Sequence, residues 1–537
     1  MTDWTSGYVA EIDYPHEFTK ELAPSSLAFC AAAKGQHHGL GGQRLVYCEL
    51  GCGQGFSTNL LAAANPHIEF HAMDFNPAQI SGASDLAQEA GLENTHFYER
   101  SFEDFGETAG LPQQFDVIAL HGVYSWVSAE NRQHILDFIT ARLRPGGMVY
   151  VSYNALPGWA AATPMRRILA DHGAQGTGPL QDRITAAMDY ARQLEESGAG
   201  YFNANPALSK RLEKMQSQSR NYLAHEFFNK DWTPFHFGDV ADDMSKAKLN
   251  HIAPADLLDH IPGFGLTDAQ QALLQAEQDP IRREALRDIL INEQFRADIF
   301  IKGARPQTTR GAVGGWLTTS FALSRRYTGA PVKLTSRTGE TVIDPQICAP
   351  VLELLAAGQA TVREMLEKGV FGETDWGGIT RLLTLLAGSG YITPCLPLEG
   401  LAERAASCLA FNTAVCKRAE DSGNLGFLAS PVTGSGIMLD RFEQLFLLAR
   451  GEGLETPGEW ADLAWQILAP QGQRLEQDGR VLETPEENLA VLRARAHAFA
   501  ARKLAILESL GVTLDAVQEK SAMPSLPDAK PASRSVA

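Results

Sequence analysis

Between Arg44 and about Trp159, short apolar runs alternate with segments whose apolar residues recur at helical spacing. The runs are RLVYCEL, IEFHAMD, FDVIALH and GMVYVSYN, each apolar along most of its length, as strands buried on both faces are. Alternation of strand and helix predicts an α/β domain built on a doubly wound parallel sheet, with its ligands at the carboxyl ends of the strands. RPGG, from Arg144 to Gly147, reads as a turn ahead of the last run. Residues 1–43 read as a helical lead-in that ends in glycines.

After Pro164 the periodicity becomes mainly helical, broken by HGAQGTGP and followed by a polar helical stretch to residue 220. A segment from 221 opens on the aromatic-rich NYLAHEFFNKDWTPFHF and reaches INEQFRADIFIKG, which alternates like a strand and predicts a separate α+β unit. Between 336 and 395 three short helical runs, ICAPVLELL, ATVREML and GITRLLTLLAGSGYI, suggest a winged-helix-like unit, with Ile379, Leu382, Leu383 and Leu386 on one face. Thr484, Pro485 and Glu487 form a helix-start signal of N-cap, first-turn proline and capping box, and Gly511 stops that helix. The predicted organisation is a sheet domain over 1–165, a helical linker over 166–220, a middle domain over 221–335, a winged-helix-like segment over 336–395, a mainly helical C-terminal domain over 396–520 and a disordered tail over 521–537.

A chain of 537 residues fits that division, because one hydrophobic core seldom serves so many. No apolar run approaches the ~18 residues of a membrane span, and MTDWTSGYVAEIDY does not read as a signal peptide, so a cytoplasmic location is expected. Seven cysteines without a CxxC pair predict reduced, mostly buried thiols. The net charge of −18 opposes nucleic-acid binding, which relies on clustered Lys and Arg, so no nucleic-acid partner is expected.

Candidate chemistry starts at the first strand, which runs into Gly51, Cys52, Gly53 and Gly55. Glycine lets a backbone approach a ligand where a Cβ would collide. Asp74 ends the next strand about 20 residues on, where one βαβ step delivers a carboxylate that can accept two ribose hydroxyls. The loop lacks the dinucleotide spacing and is preceded by Glu49, which would repel a pyrophosphate but suits the sulfonium and ammonium of S-adenosyl-L-methionine. Phe75, Ser101 and Phe102 are expected beside the adenine.

FDVIALH leads directly into HGVYSWV, at the sheet edge where methyl donor and acceptor should meet. His121 is a candidate for lining the cofactor or acting as a base, and Tyr124, Trp126 and Tyr153 for aromatic walls around the acceptor. Tyr14 and His16, in DYPHEF, are candidates for closing over the site. HEFFN at His225 lacks the second histidine of a zinc helix, and no metal is expected.

DYPHEF, ELGCGQG, HGVYSWV, SYNALPGW and NYLAHEFFN together resemble a class I S-adenosylmethionine-dependent methyltransferase followed by a methyltransferase regulatory domain, and in particular the rickettsial outer-membrane-protein lysine methyltransferases. The resemblance implies a Rossmann-like class I sheet, a dimerisation segment within 166–220, a regulatory domain over 221–335 and lysine N-methylation of a protein substrate. It puts Glu49, Gly51, Gly53, Asp74, Ser101 and His121 near the cofactor, and Tyr14, Tyr124, Trp126 and Tyr153 near the acceptor. Two other readings stay open: O-methylation of a small molecule or glycan, and a cofactor-binding regulator without catalysis.

Overall fold

The structure, a computed structural model, describes residue 8 and residues 16–42, 44–218 and 220–514. Tyr14 and the tail over 521–537 lie outside the described residues. Five strands, β1 (Leu45–Leu50), β2 (Ile68–Asp74), β3 (Thr95–Glu99), β4 (Phe115–Leu120) and β5 (Leu143–Asn154), pair in parallel. Two more, β6 (Leu249–Pro254) and β7 (Phe295–Lys302), complete the sheet in the order β3-β2-β1-β4-β5-β7-β6. The order reverses between β1 and β4, which opens a crevice at their carboxyl ends.

β7 runs antiparallel to β5, and β6 antiparallel to β7. The segment expected to form a separate α+β unit after residue 221 therefore supplies two strands to the first sheet. Its pairing partner lies more than a hundred residues back, so no local pattern announces it; buried Ile299, Phe300 and Ile301 need that sheet to cover them. RPGG is likewise no turn before β5 but part of it. Its residues bulge where the register with β4 shifts between Phe115 and Val117, and Gly146 takes φ +78° to allow it.

Period-two alternation divides the sheet's side chains between two cores. Cys48, Leu50, Ile118, Leu120, Val149 and Val151 face a layer containing Ile135, Phe138 and Ile139 of helix Ala129–Arg142. Tyr47, Phe70, Val117, Ala119, Met148 and Tyr150 face the other way, onto helix Phe56–Ala64 and beyond it onto the C-terminal domain. That helix follows the glycine turn and is buried along its entire length. Phe56 stacks on Phe411 with centroids 6.2 Å apart, and Asn65 donates to the Gly434 carbonyl at 2.9 Å. Each large apolar side chain buried here contributes about 1.5–3 kcal/mol, so the C-terminal domain braces the turn that carries the site.

Helices Thr163–Gln175, Leu180–Glu196 and Ala207–Gln216 form a satellite core with Trp159 and Phe227. Helices Pro345–Ala356, Val362–Glu367 and Trp376–Gly388 pack beside a three-stranded sheet made by Ser320–Leu323, Ala360–Thr361 and Ile392–Cys395. Its central strand precedes residue 336, so the unit starts earlier than the helical spacing predicts. Thr484 and Glu487 do form the reciprocal capping box, at the start of helix Pro485–Phe499. No helix among the described residues is long and apolar enough to cross a membrane.

Candidate active site

At the carboxyl ends of β1, β2 and β4 the crevice widens into a cavity of about 560 Å³. Of the residues nominated from the sequence, Glu49, Gly51, Cys52, Gly53, Asp74, Phe75, Ser101, Phe102, His121 and Trp126 all line it, and His16 does too. The glycine turn is held to β2 by its own backbone. Gly51 and Cys52 donate their amides to the Met73 carbonyl at 2.9 and 3.0 Å, and Gly51 has φ +73°. A Cβ at Gly51 would lie 2.6 Å from Val123 Cγ2.

Asp74 accepts the Gly53 amide on Oδ2 and the Asn76 amide on Oδ1, each at 3.0 Å. Burial raises its carboxyl above the usual range, against these donated hydrogen bonds. Each carboxylate oxygen keeps accepting capacity for a diol. Glu49 is buried at the floor, and the Thr58 hydroxyl donates to its Oε2. Burial pushes its carboxyl up to about 7, with the Asp74 charge adding to the shift. Two carboxylates in a partly closed pocket make a place for a cation, while Cys52 stays a thiol because burial and those two neighbours hold its proton.

Ser101 caps the short helix Phe102–Phe105, accepting the Asp104 amide at 3.1 Å, and so fixes Phe102 against the cavity. His121 has both ring nitrogens engaged. Nδ1 lies 3.0 Å from the Tyr150 hydroxyl and 3.2 Å from Ser152 Oγ, and Nε2 lies 3.1 Å from Thr19 Oγ1. Burial pushes the imidazole down to about 4, so it is neutral near pH 7, and its hydrogen bonds fit a wall-forming role better than a general base.

Tyr124 and Tyr153 do not reach the cavity. Tyr124 is fully buried behind it and donates to Asp243 Oδ2 at 2.9 Å; Tyr153 is buried on the opposite face of β5 from Ser152 and donates to Asp298 Oδ2 at 2.7 Å. Burial raises both phenols far above their ordinary range. Strand alternation explains the misplacement: Tyr150 and Ser152 point to His121, so Tyr153 cannot.

A recess of about 40 Å³ adjoins the main cavity and shares Tyr8, Glu17, Gly122 and Trp126 with it. Its remaining walls are Tyr222, His225 and Glu226 from helix Arg220–Phe227. The sequence alone favours domain packing for Glu226 in HEFFN, with substrate contact as the alternative. Burial pushes its carboxyl up to about 7, opposed by the Arg211 and Arg166 guanidinium groups, and burial also raises Glu17. Arg166 lies 4.6 Å from the Trp232 centroid and 5.8 Å from that of Trp126, which packs it behind the aromatic wall. No short-range pattern links residues 17, 126 and 226, which come from three separate segments of the chain.

The reversal of strand order, the glycine turn and the carboxylate at the end of β2 define a class I methyltransferase dependent on S-adenosylmethionine. The sequence comparisons agree on the class. Residues 42–197 match the model of a methyltransferase domain, and residues 219–302 match that of a predicted methyltransferase regulatory domain. An uncharacterised protein of Synechocystis is 40% identical over 513 residues, covering 95% of this chain and 100% of its own length. An uncharacterised protein of Rickettsia prowazekii is 28% identical over 255 residues, which cover 47% of this chain and 45% of that protein. PKMT2 of Rickettsia typhi, solved in complex with AdoHcy, superimposes with a TM-score of 0.64 at 18% identity, over 93% of this chain and 100% of that one. The chain belongs to the class I methyltransferases that carry a methyltransferase regulatory domain, in one family with the Synechocystis protein.

Proposed function

We propose that this enzyme N-methylates lysine side chains of a protein substrate in the cytoplasm. The observation that carries the reading is the recess beside Gly122, walled by Tyr8, Trp126 and Tyr222 and bounded by Glu17 and Glu226. Aromatic faces and carboxylates together suit an alkylammonium group and the amine derived from it. The resemblance of HGVYSWV and SYNALPGW to the rickettsial lysine methyltransferases supports the same acceptor, as does the fold shared with PKMT2 of Rickettsia typhi.

S-adenosylmethionine supplies an electrophilic methyl on a sulfonium, open to in-line attack. Asp74 would hold the ribose hydroxyls, Glu49 would face the cationic amino-acid end, and Phe75, Ser101 and Phe102 would border the adenine. Cys52 contributes its backbone between Gly51 and Gly53. His121 closes the wall behind the acceptor as a neutral ring. A lysine ammonium, with an ordinary pKa of about 10.4, must lose a proton before its nitrogen can attack. The carboxylate of Glu226 accepts the proton that leaves Nζ. The helical segment over 166–220 is the proposed homodimer contact.

Incubation with methyl-labelled S-adenosylmethionine and a cell lysate tests the acceptor. Label retained on protein, lost after protease treatment and recovered as methyl-lysine after acid hydrolysis is the expected result. Label on a protease-resistant small molecule or glycan would replace this reading with O-methylation of such an acceptor, and no transfer at all would favour a cofactor-binding regulator.

A further inference from the structure

A second cluster of chemistry-bearing side chains lies on the sheet away from the cofactor cavity, near the start of β2 and β3. His71 and His96 are direct partners in the parallel register of these strands, so their side chains emerge on the same face. The imidazoles stack with centroids 4.6 Å apart and an interplanar angle of 22°. Both turn their Nε2 atoms to one oxygen, Glu69 Oε1, at 3.1 Å for His71 and 3.3 Å for His96. One donor atom from each of the three residues lies within 4.8 Å of the other two.

We propose that Glu69, His71 and His96 form a binding site for a zinc-type divalent ion that clips edge strand β3 to β2. Zinc bonds imidazole nitrogen and carboxylate oxygen at about 2.0–2.2 Å, which in a tetrahedron sets neighbouring ligand atoms about 3.3–3.5 Å apart. The two carboxylate-to-imidazole separations already lie close to that spacing. Two imidazoles and one carboxylate are a ligand set that zinc takes, whereas magnesium prefers an all-oxygen octahedron. The Tyr98 hydroxyl sits 2.9 Å from His71 Nδ1, the position of a group that orients a ligating ring through its other nitrogen. Ion binding to His71 Nε2 leaves the ring proton on Nδ1, from which it donates to the Tyr98 oxygen.

The His71 side chain is 2% exposed, while Glu69 and His96 are 49% and 42% exposed. The ion would therefore be anchored on a buried ring and keep a solvent-facing position for water. Neither HEFFN nor the cysteine spacing points to this cluster, because its residues fall on two strands. β3 leads into Arg100, Ser101 and Phe102, which line the cofactor cavity, so a clip here stiffens the strand that ends at the cofactor.

Calorimetric titration of zinc chloride into chelator-stripped full-length protein tests the site. One equivalent is expected, with affinity falling at least tenfold in His96→Ala and in Glu69→Gln, and by about 10–100-fold in Tyr98→Phe. Melting temperature should rise with zinc in the wild type and not in His96→Ala, and magnesium should give no heat at this site. Circular dichroism checks that each variant is folded. Absence of a zinc equivalent, or an equivalent of unchanged affinity in both ligand variants, as adventitious cysteine binding would give, overturns the proposal.

Discussion

Asp74 Oδ2 accepts the Gly53 amide at 3.0 Å, so the carboxylate at the end of β2 and the glycine turn after β1 form one rigid unit. Asp74→Ala removes both the backbone tie and the proposed ribose acceptor. Its cofactor affinity should fall by about 1.5–3 kcal/mol, roughly ten- to 150-fold in Kd. Calorimetry with S-adenosylhomocysteine on the folded variant measures this, and unchanged affinity would dislodge the cofactor from this cavity.

Glu49 makes cofactor binding pH-dependent. Burial raises its carboxyl to about 7 in the unliganded protein, so the neutral form dominates below that pH. A cationic ligand prefers the carboxylate, and affinity for S-adenosylmethionine should fall by about five- to tenfold between about pH 7.5 and pH 6. Glu49→Gln should bind more weakly and with a flat profile over the same range. A wild-type profile as flat as that of the variant would remove Glu49 from contact with the cation.

Gly51→Ala combines a φ of +73° with a Cβ 2.6 Å from Val123 Cγ2. Backbone strain in this region costs about 1–3 kcal/mol, and the clash adds to it. Chemical denaturation should report a loss of that order together with weakened cofactor binding. A variant as stable as the wild type would mean that the turn relaxes freely.

Tyr124→Phe and Tyr153→Phe separate packing from acceptor contact. Each leaves a carboxylate, Asp243 or Asp298, without one buried or half-buried donor. Stability should fall by about 1–3 kcal/mol while the KM for the acceptor stays unchanged. A raised KM at unaltered stability would return these tyrosines to the acceptor wall.

The four parallel strand runs and the glycine turn were legible because both depend on local pattern: doubly buried strands are continuously apolar, and the turn needs glycine at Gly51. β7 was legible as an alternating run, but the sheet that β6 and β7 join was not, since the pairing of Ile299 with Tyr150 spans far more chain than any periodicity covers. The aromatic motifs lie beside the cavity, but local pattern does not set which of their rings line it. Within HGVYSWV, Trp126 and Val123 line the cavity while Tyr124 turns into the core, a distinction set by how the turn after β4 packs on Phe235 and Asp243. For Glu226 local pattern favours packing over substrate contact, because its neighbours in the recess come from the lead-in and from the turn after β4.

The recess beside Gly122 carries the proposed amine acceptor, with Glu226 as its proton acceptor, and comparing Glu226→Gln with the wild type tests that account most directly. Methyl transfer from labelled S-adenosylmethionine to lysate protein should fall by about a hundredfold or more, as expected for loss of a proton acceptor, while the Kd for S-adenosylhomocysteine stays the same. Transfer to protein at the wild-type rate in this variant would contradict the account.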